Sequence, residues 1–178
     1  MYMKTALLII DVQMAMFSSI NGTAVYDGEA VLENICQLIA KARKAGVPVI
    51  FIQHTNDQDE EYAEGKSTWQ LHPQLQPLAT EKVLRKSTRD SFYNTSLQKE
   101  LNQIKIHQLV IAGMQTEYCV NATLLKALEL GYGCVMVEDA HTTFDRSDIS
   151  AEQIIKQHNQ NWKNSSANLL PARDIKFQ

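Results

Sequence analysis

Short apolar runs alternate with amphipathic stretches along most of the chain, and this alternation restricts the possible folds more than any other sequence feature. The apolar runs are ALLIID (6–11), VPVIFIQH (47–54), EKVLRK (81–86), HQLVIAGM (107–114) and GCVMVEDA (133–140). The stretches with helical periodicity are EAVLENICQLIAKARKAG (29–46), NTSLQKELNQI (94–104), TEYCVNATLLKALELG (116–131) and SAEQIIKQHNQNWKN (150–164). Strands that alternate with helices build a parallel sheet with helices on both faces. The sequence therefore predicts a three-layer α/β/α domain with a mainly parallel sheet.

Length and composition fit one globular domain over residues 1–178, of which 44% are apolar and 21% charged. The net charge of −3 gives no electrostatic reason to expect binding to nucleic acid or to a membrane surface. No apolar stretch approaches the roughly 20 residues that span a bilayer. The N-terminal MYMKTALLIIDVQ predicts a strand rather than a signal peptide. Three cysteines without a zinc-binding spacing make a reducing cytoplasm the expected location.

Several local signals predict where helices begin and end. Gly46 is expected to follow the first helix as its C′ residue. Thr95 with Gln98, and Ser150 with Gln153, have the spacing of capping boxes at the second and fourth helices. The polar segment TNDQDEEYAEGKSTWQLHPQLQPL (55–78) predicts a long loop, and loops of this length in compact domains tend to be functional or mobile.

The residues that end the apolar runs are the first candidates for a functional site. In parallel sheets, ligands bind beyond the carboxyl ends of the strands, where side chains that are distant in sequence meet. The run ends carry Asp11, His54, Lys86, the GMQTEYC turn (113–119), and Asp139 with His141.

Cys119 is expected near the start of the helix that follows the fourth run. A helix N-terminus carries about half a positive charge and free N–H groups, which favour the reactive thiolate and can bind an oxyanion. The alternative interpretation of Cys119 is a small buried apolar side chain. Asp11 alone could be a loop residue and Lys86 alone a solvated lysine, but together with Cys119 they supply a thiol, a base and a cation at one sheet edge.

The chain resembles the isochorismatase-like cysteine hydrolases from about Ala6 to about Trp162. ALLIIDVQ resembles the first strand of that family, with Asp11 at its aspartate position. RKSTRDSFYNTSL resembles its lysine segment, in which Lys86 stands six residues before Phe92. LVIAGMQTEYCVNATLLKALELGY and VEDAHTTFD resemble the nucleophile segment and the strand after it.

This resemblance implies a catalytic triad, with Cys119 as nucleophile, Asp11 as general base and Lys86 as the cation beside both. It also implies an oxyanion hole made by the backbone N–H groups of Tyr118 and Cys119, and a cis peptide bond between Met114 and Gln115. The implied reaction is acyl transfer, in which the thiolate attacks an amide-type carbonyl and a thioester is then hydrolysed.

The resemblance also bears on metals and cofactors. Nicotinamidases of this family bind a metal through an Asp-x-His motif after the second strand. QHTND places His54 where the aspartate would stand and Asn56 where the histidine would stand, so the motif is broken. We expect no catalytic metal and no cofactor, although His54 and His72 remain conceivable ligands.

The substrate is expected to be a small molecule with an amide, lactam or carbamoyl bond, and the loop sequence most resembles the streptothricin-hydrolase-like branch. Isochorismatases proper lack the cysteine and hydrolyse a vinyl ether, which is the alternative enzyme activity; a non-catalytic binding protein is the third. The candidate pocket residues are Phe17, His54, Trp69 and Tyr118. For Gln13, His141 and Asp145 we expect structural hydrogen bonds. The family usually associates, so we expect a homo-oligomer of two or more chains.

Overall fold

The computed structural model describes residues 4–18 and 22–177. Its strands are β1 (Thr5–Ile10), β2 (Val49–His54), β3 (Lys82–Lys86), β4 (Gln108–Met114), β5 (Gly133–Thr142) and β6 (Asn168–Leu170). Its α-helices are α1 (Gly28–Lys44), α2 (Leu97–Gln103), α3 (Asn121–Glu129) and α4 (Ala151–Lys163). A π-helical turn, Thr116–Val120, joins β4 to α3. Short 3₁₀ turns lie at Met14–Met16, Pro73–Leu75 and Ala172–Asp174.

The strands form one sheet in the order β3-β2-β1-β4-β5-β6, and every neighbouring pair is parallel. Helix α1 packs on one face, and α2, α3 and α4 pack on the other, so two apolar layers enclose the sheet. This arrangement confirms the predicted three-layer α/β/α fold. Within the described part of the chain, no helix is both long enough and apolar enough to cross a membrane.

The core follows from the alternation of side chains along each strand. In β1, Leu7 and Ile9 join the layer under α1, whereas Leu8 and Ile10 join the layer under α2 and α3. The strand is therefore apolar at nearly every position, as a strand that is covered on both faces must be. Polar residues stand only at its two ends, Thr5 at the start and Asp11 directly after the last residue.

Some local predictions hold and others fail. The capping box of Ser150 and Gln153 is present at α4, and Gly46 follows α1 with φ +67°. At α2 the N-cap is Ser96, not Thr95. The Thr95 hydroxyl donates to the Ser91 carbonyl at 2.6 Å and accepts from the N–H of Leu97, the first residue of α2, at 3.2 Å, so it still joins the preceding loop to the start of the helix. The short edge strand β6 was not predicted.

The strand order places the expected sites together. The chain runs outward from β1 to β2 and β3 on one side, and β4, β5 and β6 fill the other side. The carboxyl ends of β1 and β4 therefore meet at the point where the strand order reverses, which is where ligands bind in open α/β sheets. Asp11 follows β1 at this point, and the turn that carries Cys119 follows β4.

Candidate active site

Lys86 lies between Asp11 and Cys119, and these three side chains form the centre of the candidate site. Lys86 Nζ is 2.5 Å from Asp11 Oδ2 and 3.2 Å from Cys119 Sγ. The Asp11 carboxylate also interacts with the Cys119 thiol. The side chains of Lys86 and Asp11 are 0% and 1% exposed, whereas Cys119 is partly exposed. The sulfur is thus the member of the group that a substrate can reach.

Backbone contacts hold Asp11 at the end of β1. Its N–H donates to the Ile52 carbonyl of β2 at 3.0 Å, which continues the strand pairing by one residue. Its φ of +50° then turns the chain out of the sheet. Aspartate is one of the few residues other than glycine that tolerates this left-handed conformation. The side chain of Asp11 can therefore point out of the sheet and face the carboxyl ends of the neighbouring strands.

Lys86 is the last residue of β3 and reaches across the end of β2. Its Nζ also donates to the Thr88 carbonyl at 3.0 Å, so the ammonium has three partners around it. Burial lowers the pKa of Lys86, but its interactions with the Asp11 carboxylate and the Cys119 sulfur outweigh burial and raise that pKa above its usual value. Lys86 is therefore a buried cation at neutral pH.

Cys119 lies in the π-helical turn Thr116–Val120, just before α3 begins. The predicted single helix is thus two segments, a π turn and an α-helix. The peptide bond between Met114 and Gln115, which leads into this turn, is cis, at the position that the resemblance implied.

The resting thiol differs from the sequence expectation of a stabilised thiolate. Burial raises the pKa of Cys119 to about 12; the Asp11 charge acts in the same direction, while Lys86 opposes it. The helix N-terminus does not outweigh burial and the neighbouring carboxylate. The protonated thiol is therefore the resting form of Cys119, and Asp11 is the carboxylate that lies beside it.

One of the two predicted oxyanion donors, the Tyr118 N–H, already has a hydrogen-bond partner. The Tyr118 N–H donates to the Gln115 carbonyl at 3.1 Å, so it is already engaged within the turn. The same Gln115 carbonyl also accepts from the Val120 N–H at 3.2 Å, and this longer bond closes the π turn. The Cys119 N–H stays a prediction as an oxyanion donor.

A cavity of about 280 Å³ opens above the sulfur. Asp11 and Cys119 lie in its wall with residues at and beyond the carboxyl ends of β1, β2, β3 and β4, namely Met16, His54, Asp59, Tyr62, Ser87, Thr88, Arg89, Gln115 and Tyr118. The expected pocket residues His54 and Tyr118 are among these. Its volume suits a small molecule rather than a polymer.

Two of the expected pocket residues, Phe17 and Trp69, do not line this cavity. Phe17 packs on His72, with ring centroids 4.6 Å apart, at the edge of the core under α1. Trp69 is buried, donates from Nε1 to the Thr55 hydroxyl at 3.0 Å, and lines a different cavity. Both aromatic side chains hold loops against the body of the protein.

His54 and His72 are in different places and do not form a shared site. His54 faces the cavity above Cys119, where burial, with Lys86, lowers its pKa and so favours the neutral ring. His72 Nδ1 accepts from the Gln74 N–H at 3.3 Å in a neighbouring turn. In the described ranges, no three His, Cys, Asp or Glu side chains converge as a metal site would require.

The expected structural hydrogen bonds are present. Gln13 Nε2 donates to the carbonyls of His54 and Trp69 at 3.0 and 2.7 Å, and its Oε1 accepts from the His54 N–H at 2.8 Å. His141 forms two hydrogen bonds of 2.9 Å, one between its Nδ1 and Thr116 Oγ1 and one between its Nε2 and Asn159 Oδ1. Asp145 Oδ1 accepts from the first N–H of α4, at Ala151.

Sequence reasoning missed Asp59, Tyr62 and Arg89 in the cavity wall. Asp59 and Tyr62 belong to the long polar segment 55–78, and strand periodicity does not predict which of its residues fold back over the sheet edge. Arg89 did have a signal, because it lies three residues after Lys86 and must leave the same strand end.

Comparison with known proteins identifies the family of this chain. Residues 5–161 match the isochorismatase domain family. The streptothricin hydrolase of Streptomyces noursei is 37% identical over 140 residues, which cover 79% of this chain and 50% of that protein. The chain thus spans half the length of that relative. The ureidoacrylate amidohydrolase RutB of Pantoea ananatis (strain LMG 20103) is 32% identical over 173 residues, covering 77% of this chain and 68% of that protein.

A solved structure of an isochorismatase family protein superposes on this chain with a TM-score of 0.87 at 35% identity. The superposition covers 94% of this chain and 98% of the other. The family match, which extends over most of the chain, and this structural similarity together show that the chain belongs to the isochorismatase family of hydrolases.

Proposed function

We propose that the protein is a cysteine-dependent hydrolase that cleaves the C–N bond of a small amide, lactam or carbamoyl compound through a thioester. The observation that carries this proposal is the position of Lys86 Nζ, 2.5 Å from Asp11 Oδ2 and 3.2 Å from Cys119 Sγ. A buried base, a buried cation and a reachable thiol are the groups that covalent acyl transfer requires.

The proposed reaction has two halves. Asp11 accepts the thiol proton while Cys119 Sγ bonds to the carbonyl carbon, and the carbonyl oxygen becomes an oxyanion. The C–N bond then breaks, the proton passes from Asp11 to the leaving nitrogen, and the acyl group remains on sulfur as a thioester. In the second half Asp11 takes a proton from water as the hydroxyl adds to the acyl carbon. The C–S bond breaks, the carboxylic acid leaves, and Asp11 returns its proton to the Cys119 sulfur, which restores the thiol.

Lys86 has an electrostatic role in this scheme. Because Lys86 is cationic at neutral pH, it lowers the free energy of the thiolate and holds the Asp11 carboxylate in place. It needs no proton transfer of its own. The name of the relative RutB, an amidohydrolase, supports a C–N bond as the target.

A vinyl-ether hydrolase is the competing activity, and it does not need the sulfur. The presence of Cys119 in the cavity wall favours the amide route over the ether route. The two reactions therefore predict opposite results when the thiol is removed.

The test is a panel of small primary amides, lactams and N-carbamoyl compounds, assayed with the wild type and Cys119→Ala. Cys119→Ala is expected to lower turnover by at least about a thousandfold, because the covalent route is lost. Intact mass measurement of the wild type during turnover is expected to show the acyl adduct. The matched control is Cys36→Ala, which is expected to leave turnover unchanged because Cys36 lies on α1, at a distance from the cavity.

Hydrolysis that survives Cys119→Ala would exclude the thioester. Cleavage of a vinyl ether by both the wild type and Cys119→Ala would instead assign the ether-hydrolase activity.

A further inference from the structure

Arg89 is distinguished by its lack of a carboxylate partner. The sequence contains five arginines, at positions 43, 85, 89, 146 and 173. Four of them form ion pairs, with Glu81, Glu64, Glu117 and Asp174 respectively. Across residues 4–18 and 22–177, Arg89 makes no ion pair within 4.0 Å.

Arg89 is nevertheless held at a defined place. Its guanidinium lies 4.2 Å from the centroid of the Tyr118 ring, in the range of a cation–π contact. Its chain neighbours are fixed, because the Thr88 carbonyl accepts from Lys86 Nζ and the Asp90 carboxylate accepts from the Phe92 N–H at 2.8 Å. The carboxylate next in sequence is thus engaged in a turn and leaves Arg89 unneutralised.

The place where Arg89 is held is the wall of the cavity above Cys119. The charges of Asp11 and Lys86 offset each other at the base of this cavity. Asp59, the other acidic residue of the wall, acts electrostatically on His54 and Tyr62 and forms no ion pair with Arg89. The guanidinium of Arg89 is therefore a cation of the cavity wall that has no carboxylate against it among the described residues.

We propose that Arg89, braced on the ring of Tyr118, binds a carboxylate of the substrate, and that the substrate class is amides that also carry a carboxylate. The planar guanidinium matches a carboxylate in geometry and can donate two parallel hydrogen bonds to it. Stacking on Tyr118 orients that guanidinium before the substrate arrives, which reduces the ordering that binding requires. Arg89 is thus a specificity residue, and the chemistry remains with Cys119.

This inference rests on the proposed amide hydrolysis, and a matched pair of probes separates the two. Succinamate carries a primary amide and a carboxylate, whereas butyramide has a methyl group in place of the carboxylate. The wild type is expected to prefer succinamate in kcat/KM, and Arg89→Gln is expected to reduce that preference by about tenfold. Arg89→Lys keeps the positive charge but lacks the two parallel N–H donors of the guanidinium. It is expected to give an intermediate preference for succinamate over butyramide.

Arg146→Gln is the matched control. Arg146 also lies over Tyr118, 4.9 Å from the centroid, but it is paired with Glu117 and does not line the cavity. Its replacement is expected to leave the preference for succinamate unchanged. Because Arg89 is exposed, raising the ionic strength is expected to shrink the preference of the wild type, but not the residual preference of Arg89→Gln.

Calorimetric binding of succinamate to Cys119→Ala, with and without Arg89→Gln, tests the same contact without turnover. Arg89→Gln is expected to raise Kd by about tenfold. Equal preference for both probes in the wild type, or equal Kd with and without Arg89, would overturn the role of Arg89. Hydrolysis that survives Cys119→Ala would instead overturn the amide mechanism, so the two failures are distinguishable.

Discussion

Asp11 and Lys86 act on the Cys119 thiol in opposite directions. Asp11 raises the pKa of the thiol and Lys86 lowers it, while burial, the largest cause, raises it to about 12. In the proposed reaction, the residue that removes the proton is thus also the one that favours its retention at rest. A protonated resting thiol reacts slowly with electrophiles other than the substrate, because only the thiolate is nucleophilic.

This opposition predicts that Asp11→Asn makes Cys119 more reactive toward iodoacetamide near neutral pH, although it is expected to abolish turnover. Loss of the carboxylate charge lowers the pKa of the thiol, so the thiolate fraction rises. We expect alkylation about tenfold faster, which corresponds to one pKa unit. Mass spectrometry of the Cys119 peptide measures the rate, and Cys36 in the same sample is the internal standard.

Asp59→Asn is the matched control, because Asp59 lines the same cavity but is not among the groups that shift the pKa of Cys119. An alkylation rate that stays equal to that of the wild type in Asp11→Asn would show that the carboxylate does not restrain the thiol.

The sequence predicted the individual residues of the site unequally. Asp11, Lys86 and Cys119 could be placed at one sheet edge because strand ends converge in a parallel sheet. Phe17 and Trp69 could not be assigned, because an aromatic side chain in a loop packs equally well on the core or in a pocket, and only the path of the loop decides. The pKa of Cys119 was also beyond sequence reasoning, since burial depends on how the segments that follow four separate strands close over the sulfur.

At the scale of elements, β1 and β4 approach most closely at Gly113. This residue has φ +132°, and a Cβ there would lie 2.1 Å from the Ile10 carbonyl oxygen and 2.6 Å from its nitrogen. Ile10 directly precedes Asp11, and Gly113 directly precedes the Met114–Gln115 bond. The contact therefore fixes the base relative to the turn that carries the nucleophile.

Gly113→Ala is expected to lower the free energy of unfolding by more than about 2 kcal/mol, because the clash involves backbone and the conformation disfavours a side chain. Turnover is expected to fall as well, since the end of β1 must shift. Urea unfolding and amide hydrolysis measure the two effects. In the control Gly133→Ala, the nearest atom to the new Cβ is 3.6 Å away, so little change is expected. Equal stability of the two variants would contradict the role of Gly113.

The elements themselves were largely predictable, and the exceptions have physical causes. Clear periodicity over long segments predicted α1 and α4, and apolar runs rich in β-branched residues predicted β1, β2 and β4. The π turn at Thr116–Val120 was missed because its side-chain pattern continues into α3. The three-residue strand β6 is too short for any periodicity, and its pairing with β5 provides the stability that its sequence does not indicate.

At the scale of the whole molecule, His141 connects the sheet to the helical layer. Its ring forms hydrogen bonds with Thr116, at the start of the turn that carries Cys119, and with Asn159, on α4. Burial lowers the pKa of His141 to about 4, from an ordinary value near 6.5. The neutral ring is therefore part of the packed structure, and protonation opposes folding.

The sign of the resulting pH dependence follows directly. Between pH 6.5 and 4 the unfolded chain binds a proton at His141 that the folded protein does not, so stability falls as the pH is lowered through this window. This histidine alone is expected to make the free energy of unfolding about 2 kcal/mol lower at pH 5 than at pH 7. In urea unfolding, His141→Gln is expected to be less stable than the wild type at pH 7, but its free energy of unfolding is expected to fall less between pH 7 and pH 5. An identical fall in the wild type and in His141→Gln would exclude His141 as the cause.

The surroundings of Lys86 also limit what substrate chemistry it can perform. An ammonium group carries three hydrogens. Asp11 Oδ2, Cys119 Sγ and the Thr88 carbonyl lie 2.5, 3.2 and 3.0 Å from its nitrogen. Protein atoms therefore surround the ammonium on three sides, two of them as hydrogen-bond acceptors and the third as an ion-pair partner. We predict that electrophilic assistance to an incoming amide comes from backbone donors, and that Lys86 acts by keeping the carboxylate and the sulfur at a constant spacing through the cycle.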